Sequence, residues 1–102
     1  MTESNLEEVN RAKLNLETAQ MAWREMQRYF ASGAALYVSP ELDLVETAYQ
    51  MSVDNAVLIG QWMAAGQFGK VTDEQAGVWW ETDAQLWAVV VSPWVLVQPV
   101  VN

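Results

Sequence analysis

A chain of 102 residues is the size of one ordinary domain, burying roughly 65% of its unfolded surface, and a second domain is excluded. Thirteen acidic against five basic side chains give a net charge of -8, so phosphate backbones and anionic bilayers repel it, and neither nucleic acid nor membrane is an expected partner. Without cysteine or histidine there is no thiol nucleophile, disulfide, imidazole or thiolate metal ligand, and no Ser-His or Cys-His pair; six tryptophans and a 52% hydrophobic content stand out instead.

The polar, acidic start Met1–Asn5 has neither the basic residues nor the apolar run of a secretory leader, so a cytoplasmic protein is expected. The apolar stretch Leu86–Val101 is too short to span a bilayer and is interrupted by Ser92, Pro93, Gln98 and Pro99; it reads as core. Ser4-Asn5-Leu6-Glu7 has the form of a capping box that opens a helix. From there Val9, Leu16, Trp23 and Phe30 recur every seven residues, with Ala12, Ala19 and Met26 three residues after the first three, as one helical stripe would. A helix running unbroken to Ala31 would be roughly 40 Å long, against a radius of gyration of about 13 Å for a domain of this size. It therefore either breaks near Asn15, as a hairpin or elbow, or overhangs and leaves its first stripe residues needing a partner chain.

Gly33 is a helix stop, and Ala34–Val38 reads as a short strand. Ser39-Pro40-Glu41 predicts a helix start, with Leu42, Val45 and Tyr49 on one face of a helix over 40–52. The alternation of Val45, Thr47, Tyr49, Met51 and Val53 leaves a strand as the alternative. Asp54 is the expected N-cap of a further helix whose inner face is Leu58, Ile59, Trp62 and Ala65 and which Gly66 closes. Thr72-Asp73-Glu74-Gln75 is a second capping box, opening a helix with Ala76, Trp79, Trp80 and Asp83 along one side. Leu86–Val91 and Trp94–Val97 are nearly continuous apolar runs, the signature of strands covered on both faces, with Pro93 at a bend. The predicted architecture is α+β: one domain over 1–102, with a helical arm or hairpin over 1–31 and an α+β core over 34–101. That core holds two or three further short helices and a small sheet that includes the C-terminal strands.

Glu17-Thr18-Ala19, Trp23 with Glu25 and Gln27, Phe30 and Gly33, Leu42-Asp43-Leu44-Val45-Glu46, Trp62 and Gly66, Thr72–Ala76, Leu86-Trp87 and above all Pro93-Trp94-Val95-Leu96-Val97-Gln98 form a pattern. It resembles a bacterial domain-of-unknown-function family, number twenty-two eighty-eight. The resemblance runs from Glu17 to Gln98 and implies a bacterial, stand-alone, acidic domain. It supplies no activity, ligand or catalytic residue.

Gly66-Gln67-Phe68-Gly69-Lys70-Val71-Thr72 is not a phosphate loop. Ala64 stands where the first glycine belongs, and Val71 where Ser or Thr should follow the lysine. Nor is its Gly-x-x-Gly core an RNA clamp, since Lys70 is the lone base against eight acids after Tyr29. The carboxylates lack any metal-ligand spacing, so no metal or cofactor is expected, and most read as helix starts or solvated surface. Trp23, Trp62 and Trp79 fall at helical spacing as core residues do. Trp80, Trp87 and Trp94 are less constrained, and adjacent Trp79 and Trp80 project about 100° apart on a helix.

The expected function is non-catalytic, a homo-oligomeric or protein-interaction module, because the N-terminal stripe exceeds what one domain covers. The alternative is a small-ligand site or enzyme lined by Trp62, Trp87 or Trp94, with Asp43, Glu46 or Gln98 as polar groups; it needs a carboxylate whose pKa burial pushes up. A weaker third reading has the acidic surface imitating nucleic acid toward a basic partner.

Overall fold

Two strands at the C-terminus organise the molecule. In the computed structural model, which describes residues 3–101, β4 (Gln85–Val91) and β5 (Trp94–Pro99) pair antiparallel from Leu86↔Pro99 to Val91↔Trp94. Alternate residues enter two different cores: Leu86, Ala88, Val95 and Val97 one, Val89 and Leu96 the other. Both faces of the hairpin are therefore covered over its middle, which is why the sequence there is continuously apolar instead of alternating. Coverage fails toward the edges, where Trp87 and Val90 are exposed. β2 (Ala35–Val38) adds to β5 in parallel, β3 (Phe68–Lys70) to β2, and β1 (Ala19–Ala22) to β4, giving a five-stranded mixed sheet in the order β1-β4-β5-β2-β3.

One sheet face carries a 3₁₀ turn (Trp23–Met26), α2 (Gln27–Ala31) and α5 (Asp73–Glu81). Trp23 is its centre: the indole is fully buried and meets Phe30 and Trp79 edge-on at 5.5 and 5.0 Å between centroids. The other face carries α3 (Leu44–Ser52) and α4 (Ala56–Ala64), with α1 (Glu3–Glu17) packed on α3. Leu44 and Ala48 of α3 reach the sheet core, with Ile59 and Trp62 of α4 and Leu14 of α1 around it.

The long N-terminal helix breaks. α1 stops at Glu17, where the Thr18 hydroxyl donates to the Leu14 carbonyl at 2.7 Å. The next element is not a second helix, as a hairpin or elbow would require, but the edge strand β1, registered on β4 from Ala19↔Ala88 to Ala22↔Gln85. The open edge of β4 supplies partners for the backbone of residues 19–22, and that tertiary pairing overrides local helical spacing. The heptad stripe is thereby cut in two: Trp23 and Met26 enter the core, whereas Val9 and Leu16 face outward. The Ser4 capping box rests on side chains outside the described residues.

The helix expected over 40–52 exists but begins at Leu44, because the Asp43 carboxylate accepts from the Glu46 N–H at 2.9 Å and caps it there; the strand alternative is excluded. Its buried residues include Leu44, Thr47 and Ala48 as well as Tyr49, while Leu42 and Val45 are half-buried. α4 is capped by Asn55, whose side chain accepts from the Leu58 N–H, and not by Asp54, which takes the turn between helices at φ +56°. After α2, Gly33 at φ +77° lets the Ala34 N–H reach Tyr29 O and the Gly33 N–H reach Phe30 O, closing the helix as expected. The Thr72–Gln75 capping box is present in both directions.

Candidate functional site

Three of the residues singled out from sequence converge. Asp43 at the start of α3, Trp87 on β4 and Gln98 on β5 line one shallow concavity of about 320 Å³, together with Asn15, Thr18 and Leu42. Two of its polar groups are engaged in holding the fold. The Gln98 amide donates to Ser39 O at 2.9 Å and to Leu42 O at 2.7 Å, pinning the loop that leads into α3, and Asp43 is the cap of that helix. Glu46, one turn further on, is bound bidentately by Arg11 of α1, at 2.7 and 3.1 Å, and accepts from Gln50 at 2.8 Å; Asn55 in turn donates to Gln50. Arg11 also stacks over the Tyr49 ring at 4.0 Å. The Arg11 hydrogen bond, aided by Gln50, holds the Glu46 carboxyl below its usual range despite partial burial. That is the reverse of the upward shift an acid catalyst requires.

The other tryptophans lie elsewhere. Trp62 packs from α4 onto the core beneath it. Trp80, 48% exposed, lies on the opposite side of the sheet, where Arg24 covers its ring at 5.1 Å and donates twice to its carbonyl, capping the C-terminus of α5. Trp94 borders a separate groove of about 370 Å³, between the β4–β5 turn and α4, whose apolar walls include Met51, Ile59, Met63 and Val91. The seven residues therefore do not assemble into one site. Among the described residues no group of three acidic side chains comes together where a metal ion could be held.

The molecule's most unusual surface is one that no sequence motif marks. α4 carries no charged residue and no buried one; from Asn55 to Gly69 the chain has no charge at all. Its inward side, Leu58, Ile59 and Trp62, is half-buried, and its outward side exposes Val57 (74%), Met63 (56%), Ala56, Gly60 and Ala64, with Gln61 the one exposed side chain that can hydrogen-bond water. An ordinary surface helix turns a charged face to water. The signal for this face was the uncharged run itself, which the expected inner face alone does not explain. A second apolar strip lies on α1, where Leu6, Val9 and Leu16 (85% exposed) project from the helix. The charged residues Glu8, Lys13 and Glu17 are interspersed with them.

Both surfaces adjoin or fall within a recognised family pattern. A model described as "Protein of unknown function (DUF2288)" matches residues 9–99, reaching upstream of Glu17 into α1. The chain belongs to the DUF2288 family. An NMR solution structure of PA1075 from Pseudomonas aeruginosa is similar throughout, at 41% identity and a TM-score of 0.81, covering 92% of this chain and 87% of that one. No curated protein matches the chain. The DUF2288 match takes in the whole of α4 and its groove, and it begins at Val9, so that it excludes Leu6. No helix among the described residues is long and apolar enough to cross a membrane.

Proposed function

We propose that this DUF2288 protein is a non-catalytic protein-interaction module whose contact surface is the outer face of α4 and the groove beside it. One observation carries the reading: a nine-residue surface helix with no charge and no buried residue, on a chain of net charge -8. Exposing Val57 and Met63 to water forgoes about 1.5–3 kcal/mol for each side chain that could be buried, which a partner recovers. Trp94 and Met51 extend the apolar surface into the groove, and aromatic and methionine side chains are the types enriched where proteins meet.

The ligand-pocket alternative has less behind it. The concavity holding Asp43, Trp87 and Gln98 is shallow, and both of its named polar groups already serve the fold. The experiment is affinity capture from a bacterial lysate with the wild-type chain and with a Val57→Glu, Met63→Glu double variant as parallel baits, the bait's own self-association being followed alongside. Loss of the retained protein, or of self-association, in the variant supports the reading. Identical behaviour of the two baits, or no association of any kind, overturns it.

A further inference from the structure

Resting on the reading of α4 as a contact surface, we infer that its occupant is a second copy of this chain, the two α4 helices packing antiparallel about a twofold axis at Gly60. A twofold interface must be self-complementary, so residues equidistant from its centre meet each other. About Gly60 the outward positions of α4 are chemically symmetric, Ala56 being matched by Ala64 and Val57 by Met63, whereas the lateral pair Ile59 and Gln61 is unlike. The outward positions, Ala56, Val57, Gly60, Met63 and Ala64, are all exposed. Gly60 has open space where a Cβ would project, with nothing within 4 Å, so the centre of the face is unobstructed beside the groove it helps to line. Small residues at the centre and larger ones flanking it allow close approach of two helices, with Val57 and Met63 left to cover the groove edges.

Charge favours this face over the rest of the surface as the place where two copies meet. Two chains of net charge -8 repel each other, and close approach is least costly along the uncharged run between Asn55 and Gly69, with Asp54 the carboxylate that borders the groove. A basic partner would gain most on the acidic remainder and nothing here. The α1 strip is less suitable for self-pairing, because Glu8, Lys13 and Glu17 would have to be accommodated beside it. Antiparallel packing also sets the positive N-terminal end of each helix dipole beside the negative C-terminal end of the other. A helix of nine residues is about 13 Å long, and Met51, Val91 and Trp94 extend its apolar face on the groove side. So short a face makes a small interface, and the dimer should be a weak one that tightens as salt screens the mutual repulsion.

The absence of native cysteine makes the test direct, because the introduced thiol is the only protein thiol and exchanges through its glutathione mixed disulfide with nothing but its mate. Gly60→Cys places two thiols across the axis, within the Cα separation of roughly 4.4–6.8 Å that a disulfide spans. Ala56→Cys places each thiol eight residues, about 12 Å, from its mate, whereas Ala56→Cys mixed with Ala64→Cys brings unlike positions level. Under oxidised glutathione at about 100 µM protein, Gly60→Cys should give a covalent dimer, Ala56→Cys alone should not, and the mixture should give the cross-linked pair. Gly60→Cys that stays monomeric, or Ala56→Cys alone that cross-links as well as Gly60→Cys, overturns the antiparallel pair. If wild-type chain is monomeric at every concentration while a charge-sensitive partner is still captured through α4, the second copy is refuted and the interaction module stands.

Discussion

Replacing Gln98 by alanine separates a structural role from a ligand-binding one. The Gln98 side chain spans from β5 to the loop before α3, donating at 2.9 Å to Ser39 O and at 2.7 Å to Leu42 O. Each such bond contributes about 0.5–1.5 kcal/mol net, so truncation should cost about 2 kcal/mol, since two partly buried carbonyls lose their donor together. For a domain near 100 residues that lowers Tm by about 10 °C. Urea unfolding followed by tryptophan fluorescence reads the loss directly. Gln98→Glu sharpens the test. At neutral pH its carboxylate would face two carbonyl oxygens with no proton to give, so it should be less stable than Gln98→Ala. Such a carboxyl has its pKa raised in the folded state above the unfolded value of about 4.3. The deficit is therefore complete well above that folded pKa and shrinks as pH falls through it. A Gln98→Ala cost under about 0.5 kcal/mol, or a Gln98→Glu deficit that does not change between pH 7 and pH 4, would refute the bonding argument.

Other substitutions test other contacts. Because Arg11 holds the Glu46 carboxyl below its usual range, the pair's stabilisation is complete above the unfolded pKa and is lost as pH falls through the folded one. The urea midpoint of the wild type should accordingly exceed that of Glu46→Gln at pH 7, and the gap should close as pH falls below the ordinary carboxylate range. Gly33→Ala should cost about 1–2 kcal/mol, since its φ of +77° penalises a Cβ. Gly60→Ala should leave stability unchanged or raise it slightly, a contrast that thermal melts resolve. Thr72→Ala removes one half of the capping box of α5 and should cost about 1 kcal/mol by chemical denaturation, without altering association through α4.

The elements most visible from sequence were those with local chemistry of their own. The Thr72–Gln75 box, the Gly33 and Gly66 stops and the two C-terminal strands are written in short runs whose physical reason lies within the run. Asp43 could be read as an acid in a motif, but its capping role depended on where the preceding turn ended, which Ser39-Pro40-Glu41 obscured by offering an earlier start. β1 was hidden for a different reason. Ala19-Gln20-Met21-Ala22 has helical composition, and only the open edge of β4, some 65 residues further on, makes it a strand. The same break turned the heptad stripe from one seam into two surfaces, buried Trp23 and Met26 on one side and exposed Val9 and Leu16 on the other. Of the candidate site, Asp43, Trp87 and Gln98 were singled out from sequence but only the fold brings them together, while Trp62, Trp80 and Trp94 were scattered by the sheet. The outer face of α4 was present in the sequence as an uncharged run, and only its exposure in the fold distinguishes it from core.

Sedimentation equilibrium of the wild-type chain and of Val57→Glu, over protein concentrations from about 1 to 200 µM, tests α4 as a contact surface between copies most directly. The wild-type mass should rise from 11.5 kDa toward twice that value, more steeply at higher salt, and Val57→Glu should remain at the monomer mass. A wild-type monomer throughout, or a dimer that the charge at position 57 leaves intact, would contradict it.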